Sequence, residues 1–302
     1  MSDGPMIDHI IDIAESPARL SVSNGLLRIR PGEGMEAAVP LREVRALIVS
    51  HAQVTYTNSV LSRLATEGAA FIVCDERHSP VGMMLPLVGH GTQTERFAQQ
   101  ASVSLPRKKN AWKQIIKAKV RNQGRLLKRL YGTDYGLFDL GSAVRTGDSE
   151  NIEARAARKY WKYLFGEGSG FKRDFEADGV NAWLNYGYAV IRALVARSLC
   201  AAGLHPSLGV HHHNRYDSFC LASDVMEPYR PIVDACAVEL SEVYDPMEGL
   251  TKDSKGDLLA ALTGPVHVQG ERKTIFTMVK KTAASLADYL CEEGKELYLP
   301  EL

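Results

Sequence analysis

Residues 203–231 read GLHPSLGVHHHNRYDSFCLASDVMEPYRP and place four histidines and three carboxylates in one short connection between two helical segments. Carboxylate oxygens and imidazole nitrogens are side-chain groups that bind divalent cations in proteins. Such a concentration is unusual beside an apolar helix. We therefore expect the flanking helices to form the centre of the fold and to hold this segment as a chemical site.

Two carboxylates of the segment, Asp224 and Glu227, lie three residues apart, so they face the same way if they share one helical turn. Pro228 and Pro231 are tolerated only near a helix start, which predicts that the turn begins close to this pair. Two interpretations stay open. Either Asp224 is an N-cap with Glu227 at the third helical position, as in a capping box, or the pair belongs to a metal site.

The histidines allow more than one site. His212 lies two residues after the turn Leu208-Gly209-Val210. A zinc site built from His205, His211 and His213 is an alternative, although histidines that are neighbours along a chain rarely point at one centre. His211 and His213 are otherwise phosphate contacts or surface residues.

A further carboxylate, Glu153, lies well before this segment on a predicted helix. Asp148 or Ser149 can cap that helix, and Glu150 in its first turn suits the positive end of the helix dipole. This arrangement predicts that Glu153 lies in the second turn, on a rigid element.

Three motifs together resemble one family. They are EARAARKY from Glu153 to Tyr160, LGVHH from Leu208 to His212, and DVMEPYRP from Asp224 to Pro231. In these motifs, and over most of its length, the chain is similar to the CRISPR adaptation integrases, and the residues around the histidines look most like type II members. Ala154 stands where many members have Gly, a change that favours the helix further.

The resemblance implies a metal-dependent DNA endonuclease and integrase, which joins prespacer 3′-OH ends to the CRISPR repeat by transesterification. It implies that Glu153, His212 and Glu227 bind one Mg²⁺ or Mn²⁺ ion. Asp224 is then the fourth catalytic residue, either as a second ligand or as the group that orients a ligand. The implied partners are double-stranded DNA, the small second subunit of the adaptation complex, a second copy of this chain and, in type II systems, the effector nuclease.

The composition is that of an ordinary soluble protein, with 45% hydrophobic and 24% charged residues among 302. No apolar run is long enough to cross a bilayer, and the N-terminus lacks a signal-peptide layout, so we expect a cytoplasmic protein with no membrane partner. The five cysteines are scattered, without a Cys-x-x-Cys pair, which favours reduced core thiols.

The sequence predicts an α+β fold in two domains. A small β-rich domain over residues 1–90, which the resemblance makes the dimerisation domain, precedes an α-helical catalytic and DNA-binding domain over residues 91–302. The boundary lies near Gly89-His90-Gly91, where strand patterning ends. A tight turn at Asn24-Gly25 predicts a hairpin, because both of its central residues must adopt positive φ. Other strands are expected near residues 36–39, 46–50, 70–74 and 81–86, and helices over residues 58–67, 179–202, 232–243 and 272–293.

One stretch, residues 96–133, contains eleven Lys or Arg residues and no Asp or Glu. Its apolar residues recur at helical spacing, so the basic residues should project from the other faces of the helix. A charged face is usually only solvated, but the absence of any balancing acid favours phosphate binding here. The candidate DNA contacts are Lys108, Lys109, Lys113, Lys117 and Arg121.

Two other functions share these features. A stand-alone structure-selective DNase acting on branched DNA would use the same site without a 3′-OH donor or a partner protein. A non-catalytic DNA-binding scaffold would use only the basic helix, with Asp224 and Glu227 capping another. The net charge is zero, so any DNA-binding face must be local. Nothing resembles a nucleophile elbow or a phosphate-cradling glycine loop.

Overall fold

The structure, a computed structural model, describes residues 8–75, 80–86, 88–268 and 271–302. Strands predominate in the described chain up to Met84, and helices form most of the remainder. The predicted α+β fold, with a small β-rich part followed by a larger helical part, is therefore confirmed. Residues 1–7, at the start of the predicted β-rich domain, lie outside the described residues.

The N-terminal part contains eight described strands and one helix. They are β1 (His9–Ile13), β2 (Ala18–Ser23), β3 (Leu26–Pro31), β4 (Ala37–Pro40), β5 (Val44–Val49), β6 (Thr55–Tyr56), α1 (Asn58–Thr66), β7 (Ala70–Cys74) and β8 (Pro80–Met84). The predicted hairpin turn is confirmed, because Asn24 and Gly25 have φ angles of 53° and 74°. Two strands were not predicted: β1, which follows an acidic N-terminus without a turn signal, and β6, which is too short to show a pattern.

These strands form two sheets of four. The first sheet has the order β1-β5-β7-β8 and is parallel except for β8 at one edge. The second has the order β4-β3-β2-β6 and is built around the hairpin, with β6 parallel to β2. Parallel neighbours need a crossover connection, and α1 supplies it between β5 and β7.

Both faces of β5, a central strand of the first sheet, are buried, and its side chains alternate between two cores. On β5, Leu47 and Val49 pack in a core with the hairpin sheet and α1. Ala46 and Ile48, which point the other way, join the core of the helical part. The first sheet is thus shared between the β-rich part and the helices, and its central strands read as continuous apolar runs for this reason.

The helical part follows in chain order. It comprises α2 (Gln93–Ser102), α3 (Leu105–Tyr131), α4 (Leu137–Ala143), α5 (Ile152–Leu164), α6 (Val180–Ala201), α7 (Cys220–Met226), α8 (Arg230–Ser241), α9 (Lys252–Thr263), the hairpin of β9 (Pro265–Val268) and β10 (Glu271–Thr274), and α10 (Ile275–Cys291). The helices predicted over 179–202 and 232–243 correspond to α6 and α8. The one predicted from residue 272 begins only at Ile275, because the preceding residues form β10.

The apolar helix α6 lies at the centre of the helical part and contacts α7, α8, α9 and α10 as well as the first sheet. Its two asparagines have the partners that burial requires. Arg173 donates to the side-chain oxygens of Asn181, at 2.9 Å, and Asn185, at 2.5 Å. Gly187 packs so closely against Val233 of α8 that an added Cβ would lie 2.4 Å from its Cγ1.

The acid-free stretch forms two helices, α2 and α3, and α3 is largely buried. It contacts α4, α5, α7 and α8, and Trp112 and Ile116 are 1% and 0% exposed. The expectation that all its basic residues project outward is wrong for two of them. Lys119 is 8% exposed. Arg107 donates to the backbone carbonyls of Tyr289, Glu292 and Gly294 at the C-terminal end of α10.

The N-cap interpretation of Asp224 is wrong. Asp224 lies inside α7, which begins at Cys220, and is followed by a 3-10 turn over residues 227–229 that leads directly into α8. Pro228 lies in the 3-10 turn and Pro231 in the first turn of α8, where a missing backbone N–H costs little. The structure therefore needs another reason for a buried carboxylate at position 224.

The sequence predicted Asp148 or Ser149 as the cap of the Glu153 helix, but the N-cap position is Asn151, which makes no side-chain cap. Asp148 instead satisfies the first turn from outside the helix. Its carboxylate accepts hydrogen bonds from the backbone N–H groups of Ile152, at 2.9 Å, and Glu153, at 3.0 Å. The helix begins at Ile152, later than expected, so Glu153 lies in its first turn and not its second.

No helix within the described residues is long and apolar enough to span a membrane.

Candidate active site

The histidine loop, residues 205–219, is held in place by hydrogen bonds to two buried polar side chains, Gln100 and Asp224. Gln100 of α2, 1% exposed, donates to the carbonyls of His205 and Leu208, at 3.0 and 3.1 Å, and accepts from the backbone N–H of His205. Because a buried amide with three good partners is costly to disturb, the start of the loop is fixed. Asp224 holds its middle.

Asp224 is fully buried, and its carboxylate accepts four hydrogen bonds from the histidine loop. The backbone N–H groups of Val210, His211 and His212 donate at 2.7, 2.9 and 3.2 Å. The fourth contact joins Asp224 Oδ1 to Nδ1 of His212 at 2.5 Å. Asp224 therefore fixes both the backbone of the loop and the orientation of the His212 ring, which leaves Nε2 as the free ring nitrogen.

The pKa of His212 is raised by its hydrogen bond to Asp224, although partial burial opposes the shift. The carboxylates of Glu227 and Glu153 add to the rise, so both lie in the electrostatic neighbourhood of the ring. His211 behaves differently. Its ring stacks on Trp112 at 4.1 Å with an interplanar angle of 2°, and burial lowers its pKa.

Gly209 allows this loop to close on itself. A Cβ at this position would lie 2.3 Å from the carbonyl oxygen of His212 and 3.0 Å from Asp224 Oδ2. Real Cβ atoms do not approach backbone this closely, so the Leu-Gly turn before the histidines is a steric requirement for placing His212.

Glu153 and Glu227 meet at a single cation, the ammonium of Lys119. Lys119 Nζ lies 2.6 Å from Glu153 Oε1 and 2.5 Å from Glu227 Oε2. Glu153 comes from α5, Glu227 from the turn between α7 and α8, and Lys119 from α3. Three elements that are distant in sequence thus converge at this point.

Glu227 is the more buried carboxylate, and a second cation holds it. Arg230 Nε donates to Glu227 Oε1 at 2.8 Å. Burial by itself raises the pKa of Glu227, but the charges of Arg230 and Lys119 outweigh it and lower the pKa to about 2. Burial also opposes the charge on Lys119, yet Glu227 and Glu153 raise its pKa overall. Glu227, Lys119 and Arg230 are therefore charged at neutral pH.

A buried polar network that consists of Tyr188, Tyr160 and Asp234 adjoins Arg230. Its guanidinium lies 4.4 Å from the ring centroid of Tyr188, a cation–π distance. The hydroxyls of Tyr188 and Tyr160 both donate to Asp234, the latter at 2.7 Å. Burial raises the pKa of Asp234 to about 6. Tyr160, which ends the Glu153 motif, is thus part of the framework and does not face the site.

The chemistry of this cluster suits a divalent cation, although its present geometry does not form a complete site. Among the described residues, no three His, Cys, Asp or Glu side chains are arranged as they stand to hold a metal ion. The two carboxylates nevertheless bracket a cation, the Lys119 ammonium. Glu227 Oε2 is a buried oxygen that receives no hydrogen bond of regular geometry within the described chain, despite the ammonium at 2.5 Å. Two ionised carboxylates and a free imidazole nitrogen nearby are a donor set that suits Mn²⁺ or Mg²⁺.

The alternative zinc site has no support in this geometry. His205 contacts Ser207 at 2.7 Å and lies edge-on to Phe97, whereas His211 stacks on Trp112. His213 bonds back to the carbonyl of His211. The three rings have separate partners and do not converge.

The five candidate DNA contacts all lie on α3 and are at least partly exposed. None of the five has an acidic partner within ion-pair distance in the described part of the chain, unlike Arg96, Lys119 and Arg125 of the same stretch. A second basic surface was not predicted. Arg155, Arg158 and Lys159 of α5 line a shallow groove against Asp139 of α4.

Sequence reasoning also missed Gln100, Lys119 and Arg230 as parts of the site. Arg230 could have been found, because it follows Glu227 by three residues and therefore faces the same side of a helix. Lys119 could not be separated from the other basic residues of its stretch, since only the packing of α3 shows which side chains turn inward.

The fold and the site together define an α+β protein with a buried cluster of carboxylates and cations beside an oriented histidine, at the junction of α3, α5 and the α7–α8 turn. The sequence profile of the family described as CRISPR associated protein Cas1 matches residues 11–245. The CRISPR-associated endonuclease Cas1 of Neisseria meningitidis serogroup C (strain 8013) is 34% identical over 294 residues, which is 96% of this chain and 95% of that protein. The chain belongs to the Cas1 family.

Solved structures share the fold at low sequence identity. A casposase bound to integration product matches with a TM-score of 0.76 and 18% identity, covering 95% of this chain and 92% of that chain. A chain of a Cas6-RT-Cas1–Cas2 complex matches with a TM-score of 0.75 and 18% identity, covering 100% of this chain and 37% of the other.

Proposed function

We propose that this protein is the integrase and endonuclease subunit of CRISPR spacer acquisition, and that it joins prespacer 3′-OH ends to the CRISPR repeat by metal-dependent transesterification. The observation that carries the proposal is the convergence of Glu153 and Glu227 on one cation beside His212, in a chain of the Cas1 family. The curated relative from Neisseria meningitidis is named an endonuclease, which supports phosphodiester chemistry.

Glu153, Glu227 and the free nitrogen of His212 are the groups that would hold Mg²⁺ or Mn²⁺. When bound, the ion polarises the phosphodiester and stabilises charge on the leaving 3′ oxygen. The chain's own residues prepare this site. Asp224 orients His212 through Nδ1 and so presents Nε2, in the way that carboxylates orient ligand histidines. Arg230 keeps Glu227 ionised and fixed in place.

The four hydrogen bonds that Asp224 accepts from the loop favour its role as the orienting group over that of a second ligand. A carboxylate whose oxygens are already engaged, and which is fully buried, has no free lone pair directed at a shared ion. We therefore assign it a positioning role in the proposed mechanism.

Double-stranded DNA is the proposed substrate, held by its phosphates. The unpaired basic residues of α3 and the groove lined by Arg155, Arg158 and Lys159 would supply sequence-independent contacts. The casposase with a similar fold is bound to an integration product, and this likeness supports a DNA substrate here.

The proposed assembly follows the resemblance. A homodimer formed through the β-rich residues 1–90 would bind the small second subunit, and the structural match to a complex that contains Cas1 and Cas2 supports that partner. In a type II system the effector nuclease would join the choice of prespacer. We propose that this assembly works in the cytoplasm.

The decisive experiment is strand transfer of a labelled duplex with 3′-OH ends into a supercoiled plasmid that carries a CRISPR repeat. The reaction contains Mg²⁺ or Mn²⁺ and the small second subunit. Wild type is compared with Glu153→Gln, which keeps the size of the side chain, with His212→Ala, and with the control His213→Ala. Within the described residues, the His213 ring hydrogen-bonds to the His211 carbonyl of its own loop.

The proposal expects wild type and His213→Ala to join the DNA, and Glu153→Gln and His212→Ala to bind it without joining. Joining should also disappear with 3′-dideoxy ends. Nicking without joining, even with the partner present, would favour a structure-selective DNase on branched DNA. DNA binding with neither reaction, unaffected by metal, would favour a non-catalytic scaffold.

A further inference from the structure

The ammonium of Lys119 lies between the two carboxylates that are proposed to hold the metal. Its Nζ is within 2.6 Å of an oxygen of Glu153 and 2.5 Å of an oxygen of Glu227. The side chain is 10% exposed and reaches the site from α3. These are the contacts of a cation shared by two carboxylates, and the cation is supplied by the chain itself.

The charges of the cluster balance without any added ion. Glu153 and Glu227 carry two negative charges, and Lys119 and Arg230 carry two positive ones. Arg230 occupies Glu227 Oε1, and Lys119 occupies Glu227 Oε2 and Glu153 Oε1. An unpaired buried carboxylate is strongly destabilising, so Lys119 stabilises the site in the absence of metal.

The oxygens that face Lys119 are also the ones through which the two carboxylates could share a divalent ion. The Lys119 ammonium and a divalent ion cannot both contact these oxygens at once, because the ammonium already lies at ion-pair distance from both of them. We propose that Lys119 is a built-in counterion that competes with the divalent metal for Glu153 and Glu227, and that metal binding releases its ammonium from both. This inference rests on the proposed metal-dependent function.

The length of the side chain makes the release possible without moving α3. Lysine carries its charge on a flexible four-carbon stem, whereas Arg230 is held by a fixed guanidinium geometry and by the ring of Tyr188. The cluster thus contains one cation that can move and one that cannot. A purely structural lysine would stay paired whether or not metal is bound.

The first test measures Mn²⁺ affinity without DNA, by calorimetry, for wild type, Lys119→Met and Lys128→Met. The Met side chain keeps the length of Lys119 and removes its charge. Lys128 lies on the same helix, is exposed and has no part in the cluster. We expect Lys119→Met to bind Mn²⁺ at least about tenfold more tightly than wild type, since a competing unit charge is removed at ion-pair distance, and Lys128→Met to match wild type.

Unchanged or weaker Mn²⁺ binding by folded Lys119→Met overturns the inference while leaving the proposed function intact. Absence of Mn²⁺ binding by wild type and by folded Lys119→Met alike overturns the inference and the proposed function together. A wild-type measurement covers the case in which the variant does not fold. Acetylation of Lys119 by an amine reagent, followed by mass spectrometry, should increase when Mn²⁺ is added, with Lys128 as the internal reference. Equal acetylation of Lys119 with and without saturating Mn²⁺ contradicts the release.

Discussion

Asp224 shows how one carboxylate determines the shape of a site that it does not enter. Its partners are three consecutive backbone N–H groups and one imidazole, and hydrogen bonds to charged groups are worth about 1.5–3 kcal/mol each. The histidine loop has few buried side chains of its own. Its order therefore depends on Asp224 and on Gln100, and His212 is placed by the first of these.

The pairing of His212 with Asp224 predicts a pH-dependent contribution to stability. The pKa of folded His212 is raised above its ordinary value of 6.5, so the pair contributes fully below about pH 6.5 and its contribution is lost as the pH rises through the raised pKa. His212→Ala should therefore lower the free energy of urea unfolding more at about pH 5.5 than at about pH 9. His213→Ala serves as the control. Equal losses at both pH values would show that the pair is not charged in the folded protein.

A methyl group at position 209 should disrupt the same loop sterically. In Gly209→Ala the new Cβ would meet the His212 carbonyl oxygen, a backbone atom that cannot move without the loop. We expect a loss of about 1–3 kcal/mol in unfolding free energy and loss of strand transfer. Gly256→Ala is the matched control, because nothing lies within 4 Å of its Cβ on α9, and it should gain up to about 1 kcal/mol. Equal stability of the two variants would contradict this account.

At the scale of elements, the contact between α6 and α8 depends on one glycine. Gly187→Ala would place its Cβ 2.4 Å from Val233 Cγ1, so we expect a loss of about 1–3 kcal/mol on urea unfolding. Adding Val233→Ala removes the clashing methyl groups. The double variant should then be less destabilised than the sum of the two single variants, which a double-mutant cycle measures. Additive losses would mean that the helices do not approach this closely.

Sequence patterns predicted the elements whose side chains face one environment. The run at residues 46–50 and the apolar helix near 179–202 were recognised because burial on nearly all sides leaves a uniform composition. The run at 70–74 was recognised because all its side chains are apolar, although Val73 is exposed. The capping role given to Asp224 was wrong, because Pro228 resembles a helix start and the pattern does not show that a helix already precedes it. Lys119 was hidden among basic residues of α3, since charge alone does not reveal which side of a helix is buried.

The three proposed metal-binding residues came from motif order and not from periodicity. Glu153, His212 and Glu227 are far apart in sequence, and no local rule brings them together. The structure places Glu153 and Glu227 on a shared cation and His212 in their electrostatic neighbourhood. What the sequence could not supply was most of the groups that hold these residues in place, because Gln100, Lys119 and Asp234 act through packing between distant helices.

Across the whole molecule the charge is balanced in number but segregated in space. The chain carries 36 basic and 36 acidic residues. The basic side chains of α3 that lack acidic partners within the described chain, and those of the α5 groove, lie on helices that also carry residues of the site. A DNA backbone bound across both surfaces would therefore pass close to Glu153. Long-range steering toward this region should weaken as salt increases.

This arrangement predicts how DNA affinity depends on salt. Each phosphate contact that is lost should reduce the slope of log K against log salt by about 0.9. Removing Lys109, Lys113 and Lys117 together should therefore reduce it by roughly 2 to 3, and Arg155→Ala with Arg158→Ala by up to about 2, in fluorescence anisotropy with a duplex at several salt concentrations. The control pair Lys252→Ala and Lys280→Ala, on α9 and α10, should leave the slope unchanged. If only the Arg155 and Arg158 substitutions alter the slope, the duplex lies along the groove between α4 and α5, and the lysines of α3 are a solvated face. If only the triple lysine variant of α3 alters the slope, the groove is not part of the DNA path.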